Sequence, residues 1–199
     1  MNEAGDVSSS LGTAMFLVAA MGCAGLIHVL LMSLAPPGWL DRPIDGGMSW
    51  RGRRLFGANK RVRGLASLPV AAAVVFAAFG ALQGALPEWL LAAMWPLTTI
   101  QYAMLGALAG LACMLAELPN SFVKRQLGIE PGEMPRRGLA RSIVRAVDRV
   151  DSPLGMVIAV SSAVAVQPMT WLWVLLLGSG VHAGLSALLR LLVPKFRNA

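Results

Sequence analysis

Five stretches of the chain carry no lysine, arginine, aspartate or glutamate: residues 11–35, 65–86, 89–116, 153–166 and 170–189. A helix needs about 20 mostly apolar residues to cross the hydrocarbon core of a bilayer. Lipid offers no partner for a backbone N–H or C=O, so each segment must satisfy its own. The fourth stretch reaches that length only if Asp151 and Ser152 sit at the interface and Gln167-Pro168 forms the turn beyond it. Composition points the same way. Of the 199 residues, 56% are apolar and 14% charged, whereas soluble domains carry roughly a quarter charged residues. These charges are too few to cover a water-facing surface. Disorder requires low hydrophobicity, and two cysteines cannot staple a fold of this length. The expectation is an all-α membrane protein with about five transmembrane helices, one domain spanning residues 1–199. The segments around Pro87-Glu88 and Gln167-Pro168-Met169 are then short hairpin turns between neighbouring helices.

The placement of the 17 Lys and Arg residues sets an orientation. Seven lie in residues 36–64 (Arg42, Arg51, Arg53, Arg54, Lys60, Arg61, Arg63) and seven in residues 117–152 (Lys124, Arg125, Arg136, Arg137, Arg141, Arg145, Arg149), while Arg190, Lys195 and Arg197 close the chain. With five spans all of them fall on one face, and an excess of Lys and Arg marks the cytoplasmic side. The expected topology is a short extracytoplasmic tail (residues 1–10), two long basic cytoplasmic loops (36–64 and 117–152) and a cytoplasmic C-terminus, in a multi-pass protein of the cytoplasmic (inner) membrane. The opening MNEAGDVSSS has two acids and no base, which argues against a cleavable secretory signal. Cys23, Cys113, His28 and His182 lie within the apolar runs and read as packing residues; Gln101 and Tyr102 read as interhelical hydrogen-bond partners. Glycines four apart, at Gly80 and Gly84, Gly106 and Gly110, Gly180 and Gly184, allow close helix approach within the chain or in a homodimer.

Two loops of about thirty residues on one face suggest a site. The first is dense in glycine (Gly46, Gly47, Gly52, Gly57, Gly64) interleaved with arginine and lysine. Exposed N–H groups beside cations make a phosphate cradle, although a polybasic loop that only holds anionic headgroups has the same composition. Gly57-Ala58-Asn59-Lys60 lacks the ending of a nucleotide-binding P-loop. In the second loop Pro119 is expected to break the third span, with Asn120 or Ser121 capping a short helix. With only a kink there, Glu117, Ser121 and Lys124 share one helical face. Asp148 and Asp151, three apart, project from one side of a helix. A carboxylate pair of this kind suits a Mg²⁺ ion completed by substrate phosphates, or Asp148 simply pairs with Arg145. Glu117, an acid at the end of a span, is costly and therefore a functional candidate.

Specific motifs then suggest a family. PIDGG (Pro43 to Gly47), GRRLFGANK (Gly52 to Lys60) with Arg63-Gly64, ELPNSFVKRQLGI (Glu117 to Ile129) and DRVDS (Asp148 to Ser152) resemble, in order, the two cytoplasmic loops of the CDP-archaeol synthase family, within the wider CDP-diglyceride synthetase superfamily. The resemblance implies a Mg²⁺-dependent nucleotidyltransferase that makes a CDP-lipid of the CDP-archaeol or CDP-diacylglycerol type, plus pyrophosphate, from CTP and a phosphatidate-like lipid in the membrane. No nucleic-acid partner is expected. It implies Asp148, Asp151 and Lys124 as catalytic residues and Asp148, Asp151 and Glu117 as metal ligands. The CTP-binding residues it implies are Asp45, Asn59, Lys60, Arg63, Asn120, Ser121 and Arg125. The sequence departs from the family at Arg61, where a threonine is usual, and at Arg51, where an acid is usual. The Arg61 departure motivates the alternative of a non-catalytic lipid-binding or scaffold protein that retains the fold. A transporter is disfavoured because no charge besides Glu117 lies within a span.

Overall fold

The computed structural model describes residues 3–34, 38, 40–135 and 138–192, with side chains from residue 9 to residue 184 of those. Its elements are α1 (Glu3–Leu34), a two-stranded hairpin of β1 (Ser49–Trp50) and β2 (Arg53–Arg54), α2 (Val62–Ala81), a 3-10 turn (Gln83–Ala85), α3 (Glu88–Leu91), α4 (Thr99–Gln126), α5 (Leu139–Ala163) and α6 (Pro168–Leu192). Apart from the four-residue hairpin, the described regular structure is helical. Among the described residues, three segments are long and apolar enough to cross a membrane: Ser9–Leu34, Val62–Ala81 and Thr99–Gln126. In α5 the first half is charged and the apolar part begins at Pro153.

Three boundaries differ from expectation. The apolar run 89–116 is not one helix, because Pro96 biases the residue before it away from helical geometry. A new start follows at Thr98, where a capping box forms: the Thr98 hydroxyl accepts from Gln101 N at 3.3 Å while Gln101 Oε1 accepts from Thr98 N at 2.8 Å. The connection between α2 and α4 therefore runs through residues 82–98 and is no tight turn. At the other end of α4, Pro119 does not break the helix, which continues to Gln126. A proline costs one backbone hydrogen bond, and α4 absorbs that loss. As a result most of residues 117–152 is helical: 117–126 belong to α4 and 139–152 to α5. The tail is helical too, from Glu3.

The main contacts run α1 to α2, α2 to α4, α4 to α5, α5 to α6 and α6 back to α1, closing a ring. Glycine permits the closest approaches. A Cβ on Gly106 would lie 2.4 Å from the Ala72 carbonyl oxygen, and one on Gly155 would lie 2.6 Å from that of Ala112. Phe16 packs edge to face against Phe76, Phe79, Trp95 and Tyr102, an arrangement worth more than its buried area alone. One end of the ring is tied by Thr13 to the Ala93 carbonyl (2.9 Å), Trp95 Nε1 to the Ala165 carbonyl (2.9 Å) and Thr170 to the Ser10 carbonyl (3.3 Å). The start of α1 and the connections at residues 82–98 and 164–167 thus share one end. The two basic segments meet at the other.

Candidate active site

The first basic segment is folded on itself before it meets anything else. Its two ends pair through Ile44 N to Lys60 O (2.8 Å), Val62 N to Arg42 O (3.0 Å) and Arg63 N to Leu40 O (2.9 Å). Inside the closed loop Asp45 is 1% exposed. It accepts from the backbone N–H of Gly47 (3.0 Å), Phe56 (3.2 Å) and Gly57 (3.1 Å) and from Arg54. Burial alone would raise this carboxyl, but the Arg54 guanidinium and the three amides outweigh it and hold the group at about 2. Asp45, a nucleotide contact by family resemblance, is here the internal anchor of its loop. Arg63 is also turned aside, donating to the Met32 carbonyl at 3.1 Å and lying 3.8 Å from Asp41. Arg61, the departure from the family pattern, pairs with Asp41 at 2.8 Å and also donates to the Asp41 and Ala58 carbonyls. It braces the base of the loop.

Gly57 carries this loop against the second segment. Its φ of +93° suits glycine, and a Cβ there would lie 3.0 Å from Pro131 and 3.5 Å from Arg125 Cδ. Arg53 adds a bond to the Gln126 carbonyl. Between the segments is a polar cavity of about 230 Å³ lined by Asn59, Lys60, Glu117, Asn120, Ser121, Lys124, Arg125, Gly132, Asp148, Asp151 and His182. Nine of the eleven site residues expected from sequence line it; Asp45 and Arg63 do not. Because α4 runs unbroken past Pro119, Glu117, Asn120, Ser121 and Lys124 recur at three- and four-residue steps and present one face to it.

The acidic side of the cavity is tightly organised. Asn120 Nδ2 donates to Asp148 Oδ1 at 2.6 Å and to Asp151 Oδ2 at 2.9 Å, so one amide bridges both carboxylates. Lys124 Nζ lies 2.7 Å from Asp148 Oδ1, and the Ser152 backbone N–H donates to Asp151 at 2.8 Å. Glu117 is paired with Lys60 and accepts from the Ser152 hydroxyl at 2.8 Å. Asp151 is pushed above the ordinary carboxylate range, by burial first and then by the negative charges of Glu117 and Asp148, against the opposing hydrogen bonds from Asn120 and Ser152. On the basic side Arg125 is 7% exposed, and its buried Nε and Nη1 have no hydrogen-bond partner among the described residues. Buried donors are rarely left unmet, and guanidinium N–H groups facing a polar cavity suit an oxyanion.

The donor set suits Mg²⁺ on limited terms. Among the described residues, no group of three His, Cys, Asp or Glu side chains converges to hold a metal. The Asp148–Asp151 pair does offer two carboxylates, and Mg²⁺ characteristically takes one or two together with waters and substrate phosphates. Glu117 is engaged elsewhere, by Lys60 and Ser152.

Beside the polar cavity is an apolar one of about 160 Å³ inside the helix ring, lined by all five long helices, among them Val18, Gly25, Leu68, Met156, Gly178 and Val181. Glu117 and His182 border both cavities. His182 reads as a packing residue from the sequence, whereas in the fold it lines both cavities. The signal was present, since an ionisable residue within an apolar helix is by default a functional candidate, and Gly178, Val181 and His182 share one helical face. His28, by contrast, is committed to Ser67 Oγ at 2.8 Å.

No curated protein and no solved structure matches the chain. Residues 39–189 match the CarS-like CDP-archaeol synthase family, a stretch that takes in both basic segments and every lining residue of the polar cavity. With most of its length and the whole of its site inside that match, the chain belongs to the CDP-archaeol synthase family.

Proposed function

We propose that the protein is a membrane-embedded cytidylyltransferase that joins CTP to a phosphatidate-like lipid. In this reaction an oxygen of the lipid phosphate attacks the α-phosphorus of CTP. The bond from that phosphorus to the oxygen bridging to the β-phosphorus breaks, and pyrophosphate leaves as the CDP-lipid forms. Both reactants are anionic, so the reaction depends on positioning and on charge neutralisation. The observation that carries this reading is the convergence of an amide-bridged Asp148–Asp151 pair with Lys60, Lys124 and the unmet N–H groups of Arg125 around one cavity.

Each residue has a part in that chemistry. Arg125, Lys60 and Lys124 supply the positive charge that gathers phosphates, with Asn59 and Ser121 as neutral hydrogen-bonding groups beside them. Asn120 holds the two carboxylates in fixed relation. A Mg²⁺ ion held by Asp148 and Asp151 would neutralise charge on the phosphate oxygens during transfer. No general base is required, because the lipid phosphate is already ionised. The adjoining apolar cavity accommodates the hydrocarbon end of the acceptor. The cations gathered at one end of the ring support a site on the cytoplasmic face of the inner membrane, since an excess of Lys and Arg marks the cytoplasmic side. Arg61 is occupied with Asp41 and does not line the cavity, which favours the enzyme over the scaffold alternative.

The test is conversion of labelled CTP to CDP-lipid by the purified protein in detergent, with Mg²⁺ and ester- and ether-linked phosphatidate acceptors. Asp148→Asn and Asp151→Asn are each expected to cut turnover by more than about 100-fold, beyond the 10- to 100-fold typical of groups that only support a metal site. Wild-type rates in both variants would overturn the assignment.

A further inference from the structure

Of the described side chains around the polar cavity, only Glu117 and His182 also border the apolar one. A phosphate with hydrocarbon attached must sit where the two cavities meet, its charge on one side and its chains on the other. Glu117 is an anion already engaged by Lys60 and Ser152, and it repels phosphate. Ser152 lines the apolar cavity, but its hydroxyl donates to Glu117. Lys60, Lys124 and Arg125 line only the polar cavity. His182 is exposed, and its ring makes no hydrogen bond or ion pair among the described residues. An imidazole N–H always provides at least one donor.

We propose that His182 is a substrate-binding residue that donates a hydrogen bond to the phosphate of the lipid acceptor at the junction of the two cavities, and so distinguishes the lipid phosphate from the phosphates of CTP. This rests on the cytidylyltransferase reading. CTP has no apolar end and gains nothing from a seat at the junction, whereas Arg125, Lys60 and Lys124 suit a triphosphate held wholly in the polar cavity. The contribution is therefore confined to one of the two substrates, a selectivity that a merely structural histidine would not show.

The experiment measures binding first, so that it does not depend on turnover. Dihexanoyl phosphatidate and the phosphate-free dihexanoylglycerol are titrated into wild-type protein, His182→Leu and His182→Ala, with CTP affinity as the folding control. Both variants are expected to bind phosphatidate at least about tenfold more weakly, as for loss of a hydrogen bond to a charged group, and to bind dihexanoylglycerol and CTP as wild type does. His182→Gln, which keeps an N–H donor, is expected to restore most of the affinity. In the CTP assay KM for the lipid should rise about tenfold, with KM for CTP and kcat at saturation changed less than twofold. Wild-type phosphatidate affinity in either variant that keeps CTP affinity overturns the proposal, as does equal weakening for dihexanoylglycerol. Should neither variant keep CTP affinity, failure of His182→Gln to bind phosphatidate would decide against it. If wild-type protein binds phosphatidate through His182 but consumes no CTP, the transferase reading fails and the binding role stands.

Discussion

Asp45 and Asp151 are the same side chain driven in opposite directions. Burial raises both, but Asp45 meets a guanidinium and three amides while Asp151 faces two further carboxylates. The consequence for Asp45 has a definite sign. Its folded value of about 2 lies below the ordinary 3.8, so its ionised form stabilises the fold. A shift of that size is worth about 2 kcal/mol. The contribution is complete above the unfolded value and is lost as pH falls from about 4 towards 2. Asp45→Asn is expected to speed hydrogen exchange at the Gly47, Phe56 and Gly57 amides roughly 30-fold at pH 7, since 1.4 kcal/mol is a factor of ten, with the gap narrowing below about pH 4. Unchanged exchange at pH 7 would show that the loop does not depend on this anchor. Little of this was legible in PIDGG as a motif, because only the Gly47 amide lies within it; the Arg54 guanidinium and the Phe56 and Gly57 amides are nine to twelve residues away and depend on how the loop closes. The roles of Asn120 and Arg61 were hidden for the same reason. Each is fixed by a partner that only the folded chain brings near, Asp148 and Asp151 for one and Asp41 for the other.

Among the helices, the spacing of residues carried further than their punctuation. The three- and four-residue steps from Glu117 to Lys124 put those side chains on one face, as helical periodicity requires. Pro119 was a poor guide to the end of α4, while the Thr98–Gln101 capping box, a readable start signal, lay inside an apolar run long enough to seem one helix. The first half of α5 has a similar periodicity: Leu139, Ile143 and Val147 are exposed at four-residue intervals, offset by two positions from Arg141, Arg145 and Arg149. An apolar and a basic stripe on opposite sides suit a helix at the lipid–water boundary. The register of α5 on α4 aligns the carboxylates with Asn120 and Lys124, and Gly155 sets it. A methyl group there would meet Ala116 Cβ at 2.5 Å and the Ala112 carbonyl at 2.6 Å, forcing α5 outward. Gly155→Ala is expected to lower kcat at least about tenfold, since displacements near 1 Å cost up to about 100-fold. Gly180→Ala, on a helical glycine that lines neither cavity and with nothing within 4 Å of the new methyl, should turn over CTP at the wild-type rate. Equal rates in the two variants would show that close α4–α5 approach does not govern the site.

For the whole molecule, the gathering of both basic segments at one end of the bundle follows from where the charges lie along the chain. Closure of the helices into a ring does not, because it depends on which small residues face which neighbour. Nor does the contact between a polar and an apolar cavity, which draws lining residues from helices far apart in sequence. That contact has a kinetic consequence. In the proposed reaction one reactant would reach the junction by diffusion through water and the other by sliding sideways within a two-dimensional film, and the two would never share a solvent. For the lipid, the concentration that matters is its mole fraction in the film. At fixed amounts of protein, acceptor and CTP, added inert detergent or neutral lipid is therefore expected to slow turnover in proportion to the dilution while the apparent affinity for CTP stays constant. A rate indifferent to such dilution would mean that the acceptor arrives through water. In the proposed reaction the product would likewise be kept in the film when it forms and pyrophosphate alone would depart into the aqueous phase, so that transfer would proceed without lifting a hydrocarbon chain across the interface.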